Sequence, residues 1–287
     1  MCIRGSSTQR SHNHMSKVIL TGADGFIGQN FRRKLIHDWT VVPVEINDCW
    51  EFLRHFTEWD DVEFILHQGA VSDTTETDIY KIYNYNIDFT LSLFDAARAK
   101  GIPVKYASSA SVYGNNYPEY NPLNYYALSK LTIDYWVKDH LEDFPLIQGF
   151  RYFNVYGLHE EKKVARNQSS PISKFIYQAV KFGKIELFEN SDQYLRDFIC
   201  VDDLVDIVLN NEKGSGVYDL GTSHPVSFQH VAEVVAKCYN ADIEYIPFPD
   251  HLKNKYQTYT KAKKEWGKHK FTSVENYVKD SLDKWMF

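Results

Sequence analysis

The chain has 287 residues, 44% hydrophobic and 24% charged, with a net charge of −6 at pH 7. That balance excludes a disordered chain, and at ~150 residues per domain it gives one large domain or two intimate ones. The acidic total leaves no electrostatic footprint for nucleic acid, and no apolar run approaches the roughly 18 residues of a membrane span. The four cysteines, Cys2, Cys49, Cys200 and Cys238, form neither a CxxC pair nor a metal spacing, so a reducing, cytoplasmic setting with no metal is expected. Residues 1–14, MCIRGSSTQRSHNH, are polar without an apolar core and read as an expression leader, with Met15 as the native start.

From there the elements alternate. Lys17 to Leu20 is a short apolar run ending in Thr21-Gly22, and a helical pattern follows from Phe26 to Ile36. Residues 41–44 form the next strand, with Pro43 counting against it. Residues 52–59 read as a helix, 62–66 as a strand, and 79–100 as a long helix capped by Gly101. Residues 104–107 are a strand, 126–141 a helix and 146–150 a strand. Only 17 positions separate Glu45 from Val62, so the strand usual beyond the second one is missing or reduced to 46–48. After Gly157 the pattern loosens, and 198–201 and 216–221 look like returns to the sheet. Such βαβ alternation predicts an α/β fold of Rossmann type, a doubly wound parallel sheet with a smaller, discontinuous C-terminal substrate domain. The expected division is 15–157 for the coenzyme domain, its sheet completed by 197–221, with 158–196 and 222–287 for substrate.

Gly22-Ala23-Asp24-Gly25-Phe26-Ile27-Gly28 is a GxxGxxG loop between strand and helix. One glycine permits the tight turn, one lets backbone approach a pyrophosphate, and one lets helix and strand pack closely. The helix N-terminus adds free N–H groups and partial positive charge. Gly22, Asp24, Gly25, Phe26, Ile27 and Gly28 are therefore coenzyme candidates. Glu45, 23 positions after Gly22, is the acid expected to hold a ribose diol and repel a 2′-phosphate, which favours NAD over NADP. Asp48 is an adenine contact or a plain helix cap. Gly69 and Ala70, after the third strand, complete the coenzyme set.

Tyr126 and Lys130 form YxxxK on one helix face. A nearby ammonium should lower the phenol pKa, so that Tyr126 can exchange a proton with a sugar alcohol. Tyr177/Lys181 and Tyr259/Lys263 match the same spacing. Context selects Tyr126: Ser109 ends a central strand 17 positions earlier, where ligands bind in an open parallel sheet.

With Ser109 followed by Val112-Tyr113-Gly114, and with Arg196-Asp197-Phe198 before Val201 and Asp203, these motifs resemble the extended short-chain dehydrogenase/reductases acting on nucleotide-diphosphate sugars. The segments at 67–76 (HQGAVSDTTE), 106–110 (YASSA), 122–124 (PLN), 149–157 (GFRYFNVYG), 187–189 (LFE) and 243–250 (IEYIPFPD), with Tyr256 and Gln257, are similar to the ADP-glyceromanno-heptose 6-epimerase family. The resemblance spans 17–287. It implies removal of a hydride from C6″ of the heptose by bound NADP and its return to the other face of the ketone. Ser109 and Tyr126 would polarise the oxygen, Lys130 would bind the nicotinamide ribose, and Lys163 would be the second base. It further implies substrate contacts from Ser72, Thr74, Thr75, Asn154, Arg196 and Tyr256, and a homo-oligomer built on the helices of 79–100 and 126–141. The family's basic groups for a 2′-phosphate are not evident, so the coenzyme is NAD or NADP with Glu45 favouring NAD. Ala110-Ser111 replaces the acid pair a 4,6-dehydratase needs, and no cysteine stands near Ser109 as in a GDP-fucose-synthase reductase. A 4-epimerase or a C4/C6 oxidoreductase shares the same triad. A coenzyme-binding regulator without turnover would have lost it.

Overall fold

The computed structural model describes residues 15–165, 168–249 and 259–282. In chain order it runs β1 (Lys17–Thr21), α1 (Phe26–Leu35), β2 (Thr40–Val44), α2 (Cys49–His55), β3 (Val62–His67) and α3 (Ile79–Ile82). A π-turn over Tyr83–Asp88 leads into α4 (Phe89–Lys100), then β4 (Val104–Ser109), α5 (Tyr125–Asp139) and β5 (Ile147–Tyr152). The rest is β6 (Asn154–Tyr156), α6 (Glu161–Ala165), α7 (Pro171–Phe182), β7 (Lys184–Phe188), β8 (Leu195–Arg196), β9 (Phe198–Cys200), α8 (Val201–Asn210), β10 (Gly216–Leu220), β11 (Val226–Ser227), α9 (Phe228–Tyr239), β12 (Asp242–Ile246) and α10 (Val274–Asp280).

Six strands form one sheet in the order β10-β5-β4-β3-β1-β2, and β1 pairs in parallel with both β2 and β3. The chain winds outward from β1 in both directions, so the switch point lies between β1 and β3, where such sheets bind ligands. Every residue of β1 is buried, which is why it reads as an unbroken apolar run. Pro43 is tolerated because β2 is the edge strand. Residues 46–48 form a turn, and no described strand lies beyond β2.

Two compact units share the chain. The first is 1–112, 122–151 and 205–218; the second is 113–121, 152–204 and 219–287. The sequence boundary at Gly157 therefore falls within the second unit, because the backbone passes from β5 into β6 and β6 pairs in parallel with β9. That pairing corrects the expectation for 198–201: these residues form a separate two-stranded ladder, and only β10 returns to the large sheet. In the first unit Ile19, Ile65, Leu93, Phe94, Val104, Ile133 and Ile147 pack as one core. Each such side chain contributes roughly 1.5–3 kcal/mol of transfer free energy. In the second, Ile172, Ile176, Ile185, Leu187, Val231, Val235 and Val278 do the same between α7, α9, α10 and the β7–β12 pair.

The helix expected at 52–59 starts earlier and stops at His55, since Phe56 turns extended and folds its ring onto Phe52 and Trp59. The long helix ends as expected at Gly101, with φ of 64°. Lys105, buried in β4, donates to the Val208 and Leu209 carbonyls at the end of α8 at 2.5 and 3.4 Å. Burial lowers its pKa to about 8. Among the described residues no helix is long and apolar enough to cross a membrane.

Candidate active site

The glycine loop is built backbone against backbone. Gly22 has φ of 65° and donates its N–H to the Val44 carbonyl at 2.8 Å. A Cβ on Gly22 would stand 2.7 Å from the Gly69 Cα, and one on Gly28 would stand 2.0 Å from the Gly22 carbonyl oxygen. Side chains at these points would fill the cradle in front of α1. That helix begins at Gly25 with no side-chain cap, leaving its first-turn N–H groups to an anionic ligand. Phe26 is buried, and Ile27 is half-buried beside it. The residues present thus suit a dinucleotide pyrophosphate.

Glu45 ends β2 beside this loop and accepts the Asp24 N–H at 2.8 Å. Burial, with Asp24 and Asp48 nearby, holds its carboxyl above the ordinary value, while the loop N–H bonds pull the other way. Asp48 sits at the cap position of α2 without capping it; its Oδ1 instead accepts the Glu45 N–H at 2.7 Å. Three carboxylates, Asp24, Glu45 and Asp48, therefore crowd one edge of the loop.

At the end of β3, Thr21 Oγ1 accepts the Gly69 N–H at 2.9 Å and shares a second hydrogen bond with His67 Nδ1 at 2.8 Å. His67 Nε2 is hydrogen-bonded to Thr90 Oγ1, 2.9 Å away. Burial, with the Lys130 charge nearby, drops the imidazole pKa to about 3, which keeps it neutral. This relay holds Gly69 close against Gly22. Ala70 follows, half-buried. Ser72, Thr74 and Thr75 are exposed on the next turn, where Thr75 donates from N–H and hydroxyl to Asp73 at 2.8 and 2.7 Å.

Ser109, Tyr126 and Lys130 come together in the first unit. Asn124 caps α5 by accepting the Ala127 N–H at 2.8 Å, which sets Tyr126 in the first turn. The Ser109 hydroxyl lies close enough to Tyr126 to favour its ionised form. Ser109 Oγ also accepts from the Ser111 hydroxyl at 2.8 Å. Lys130 lies with Nζ 5.8 Å from the Tyr126 ring centroid and donates to the Ala107 carbonyl at 2.8 Å. Burial lowers the Lys130 pKa to about 8, against the pull of Asp134. The expected acidified phenol is corrected here: burial raises the Tyr126 pKa, and the nearby Ser109 hydroxyl only partly offsets it. The other two YxxxK matches lie elsewhere. Lys181 donates to Tyr177 at 2.6 Å on the surface of α7, and Tyr259 and Lys263 are both exposed.

In the second unit, Lys163 is half-buried near Glu160, whose carboxylate accepts from Ser170 and Ser173. Burial lowers the Lys163 pKa and the Glu160 charge opposes that. Asn154 accepts from the Thr260 hydroxyl at 3.2 Å and donates its N–H to the Asp197 carbonyl at 3.1 Å. Arg196 is buried with its guanidinium 5.4 Å from the Phe228 ring centroid. Tyr256 lies outside the described residues.

A family model described as NAD dependent epimerase/dehydratase matches residues 18–221. The chain belongs to that family. The ADP-L-glycero-D-manno-heptose-6-epimerase of Alkalilimnicola ehrlichii is 36% identical over 85% of this chain and 88% of its own. That of Brachyspira hyodysenteriae is 34% identical over the same shares. The crystal structure of the Helicobacter pylori ADP-L-glycero-D-manno-heptose-6-epimerase superposes with a TM-score of 0.80 at 26% identity, covering 93% of this chain and 95% of that one. A Thermus thermophilus UDP-glucose 4-epimerase solved with NAD superposes at 0.76 and 19% identity, covering 93% and 98%, a likeness of fold.

In this NAD-dependent epimerase/dehydratase, sequence reasoning missed two buried polar residues that hold the site together. Asn86, carried by the π-turn, accepts the Val71 N–H at 2.8 Å and donates to the Val71 carbonyl at 3.0 Å and to Ser129 at 3.1 Å. Ser129 in turn donates to the Tyr126 carbonyl at 2.7 Å. One amide thus fastens the loop after β3 to α5. No sequence signal marks Asn86; the interruption that carries it shows only in the structure, and π-turns concentrate at functional sites. Asp134, two turns beyond Tyr126, is the other.

Proposed function

We propose that the chain is a nucleotide-diphosphate-sugar epimerase that inverts the C6″ centre of an ADP-glycero-manno-heptose with NAD held through the cycle. The observation that carries this reading is Tyr126 set beside the Ser109 hydroxyl, with Lys130 beneath its ring. The relatives at 34–36% identity supply the sugar. Ser109 and Tyr126 hold the sugar oxygen, and the phenol takes its proton and later gives it back. Lys130 holds positive charge under the phenol and binds the ribose. Lys163 serves as the second base. NAD, when bound, accepts the hydride and returns it. It is held by the Gly22–Gly28 loop and Gly69, and Glu45 with its acidic neighbours favours it over a 2′-phosphorylated coenzyme. The free thiols Cys49, Cys200 and Cys238 suit a cytoplasmic enzyme.

The test incubates purified protein with either ADP-heptose epimer and follows interconversion by proton NMR. The two epimers should interconvert without added coenzyme, denatured protein should release NAD, and Lys163→Met should slow exchange ~100-fold, the scale of a lost proton-transfer group. Failure of either epimer to convert, with turnover of UDP-glucose and UDP-galactose instead, would assign the chain to 4-epimerisation.

The same reading includes a dimer. Tyr80 and Tyr83 are 84% and 56% exposed before and within the π-turn, and Tyr125, Leu128 and Tyr135 are exposed on α5, which packs against it. Burying these rings against a second copy would remove a contiguous apolar face from water. Light scattering at micromolar concentration should give twice the chain mass, and Tyr83→Glu with Leu128→Glu should give monomer. A monomer in the unsubstituted protein overturns the dimer.

A further inference from the structure

Asp134 is completely buried, as are the three groups that converge on it. Its carboxylate accepts from the Tyr106 hydroxyl at 2.9 Å, the Ser108 hydroxyl at 2.9 Å and Arg151 Nε at 2.8 Å. Tyr106 and Ser108 are two apart on β4 and share one of its faces. The carbonyl between them, that of Ala107, receives Lys130. Helix α5 therefore grips three successive residues of β4, 106 and 108 through Asp134 and 107 through Lys130. The next residue of that strand is Ser109. Arg151 adds β5 to the same joint, and Gly149 on β5 makes room for it: a Cβ there would meet the Tyr106 ring and hydroxyl at 2.3 Å. A buried ion pair is weak evidence for stability, since an apolar replacement is often neutral or better. Its better-attested use is to fix one register among several.

We infer that Asp134 is a positioning residue for the reaction, setting the register of α5 on β4 so that Ser109 and Tyr126 meet at one oxygen while Lys130 stays beneath the phenol. The inference rests on the Ser109–Tyr126–Lys130 reading above. Asp134 touches no reacting atom; it acts through the residues it holds. It also faces Lys130 one turn away on α5. The other charged or titratable groups around that lysine are Tyr126 on its own helix and His67 from β3, with Arg151 from β5 behind Asp134.

The experiment compares full-length Asp134→Asn, Asp134→Glu and the double variant Asp134→Leu/Arg151→Met with the unsubstituted enzyme, beside Tyr126→Phe. A misplacement of about 1 Å in a catalytic group is enough for a ~100-fold loss. Asp134→Asn should lower kcat by about that factor with KM little changed. It should also move the basic limb of the pH–rate profile to lower pH, because Lys130 then faces Arg151 without the intervening negative charge. Asp134→Glu should recover part of the rate. If Asp134→Asn does not fold, the double variant decides: it removes the pair as a unit, so it should fold and show the same loss of kcat. A folded Asp134→Asn or double variant with the kcat and pH profile of the unsubstituted enzyme overturns the inference. If Tyr126→Phe also retains full turnover, the triad reading itself has failed; if Tyr126→Phe is inactive and the Asp134 variants are not, only the positioning role falls.

Discussion

Tyr126→Phe should slow epimerisation at least ~100-fold, or ~2.7 kcal/mol of transition-state stabilisation, while leaving the fold intact. The substitution deletes one hydroxyl and keeps the ring that Lys130 lies under. Ser109 is only half-buried and its Oγ still accepts from the Ser111 hydroxyl, so the change leaves no fully buried hydroxyl without a partner. Activity and stability should therefore separate: single-turnover hydride transfer collapses while the melting temperature moves by no more than a few degrees. A variant as fast as the unsubstituted enzyme would show that the proton travels by another route. The phenol rests above its ordinary pKa, and the Lys130 ammonium beneath its ring is the group of this chain that would favour its ionised form.

Gly28→Ala should cost both coenzyme retention and stability. The added methyl would lie 2.0 Å from the Gly22 carbonyl oxygen and 2.8 Å from its carbonyl carbon, both backbone atoms that cannot rotate away. Either α1 lifts from the loop or the loop moves from β3, and both open the pyrophosphate cradle. Overpacking of this kind costs about 1–3 kcal/mol, and a unit of this size loses roughly 2–4 °C of melting temperature per kcal/mol. Coenzyme recovered from purified protein should fall below a tenth of the unsubstituted amount. Gly101→Ala is the control: with φ of 64° and nothing within 4 Å of a Cβ, it pays only backbone strain and should keep its coenzyme. Equal coenzyme loss in both variants would refute a local effect at the loop.

The readings that rest on local spacing draw on short-range chemistry. Three glycines at fixed offsets, an apolar strand before them and an acid after the second strand describe one local turn, and the structure places those backbones within contact of each other. Tyr126 stood out from two other YxxxK pairs because Ser109 precedes it at a strand end, and the structure sets the decoys apart on the surface. What escaped depends on partners far apart in the chain. Asp134 looks like any helical acid until Tyr106 and Arg151 arrive from two strands. Asn86 is one polar residue among several until the π-turn swings it onto Val71. Beyond Gly157, α7 and α9 are amphipathic helices hidden among polar connections, and β9 is three residues long, too short for periodicity to place it on the right sheet. The acidified phenol failed for another reason: spacing reports which groups are neighbours, whereas burial decides which of two opposing effects wins.

The outer rim of the large sheet carries a further consequence. Val44 turns its carbonyl toward Gly22, so its neighbour Pro43 turns the ring nitrogen away from β1. Thr40–Val44 is a β-rich stretch on an unpaired margin, the kind of segment that recruits strands from other molecules. One residue from its end, the Pro43 nitrogen has no proton to offer an incoming chain. A residue that weakens the strand locally thus acts as a gatekeeper, guarding the nascent protein against edge-to-edge association before the helices have closed over the sheet.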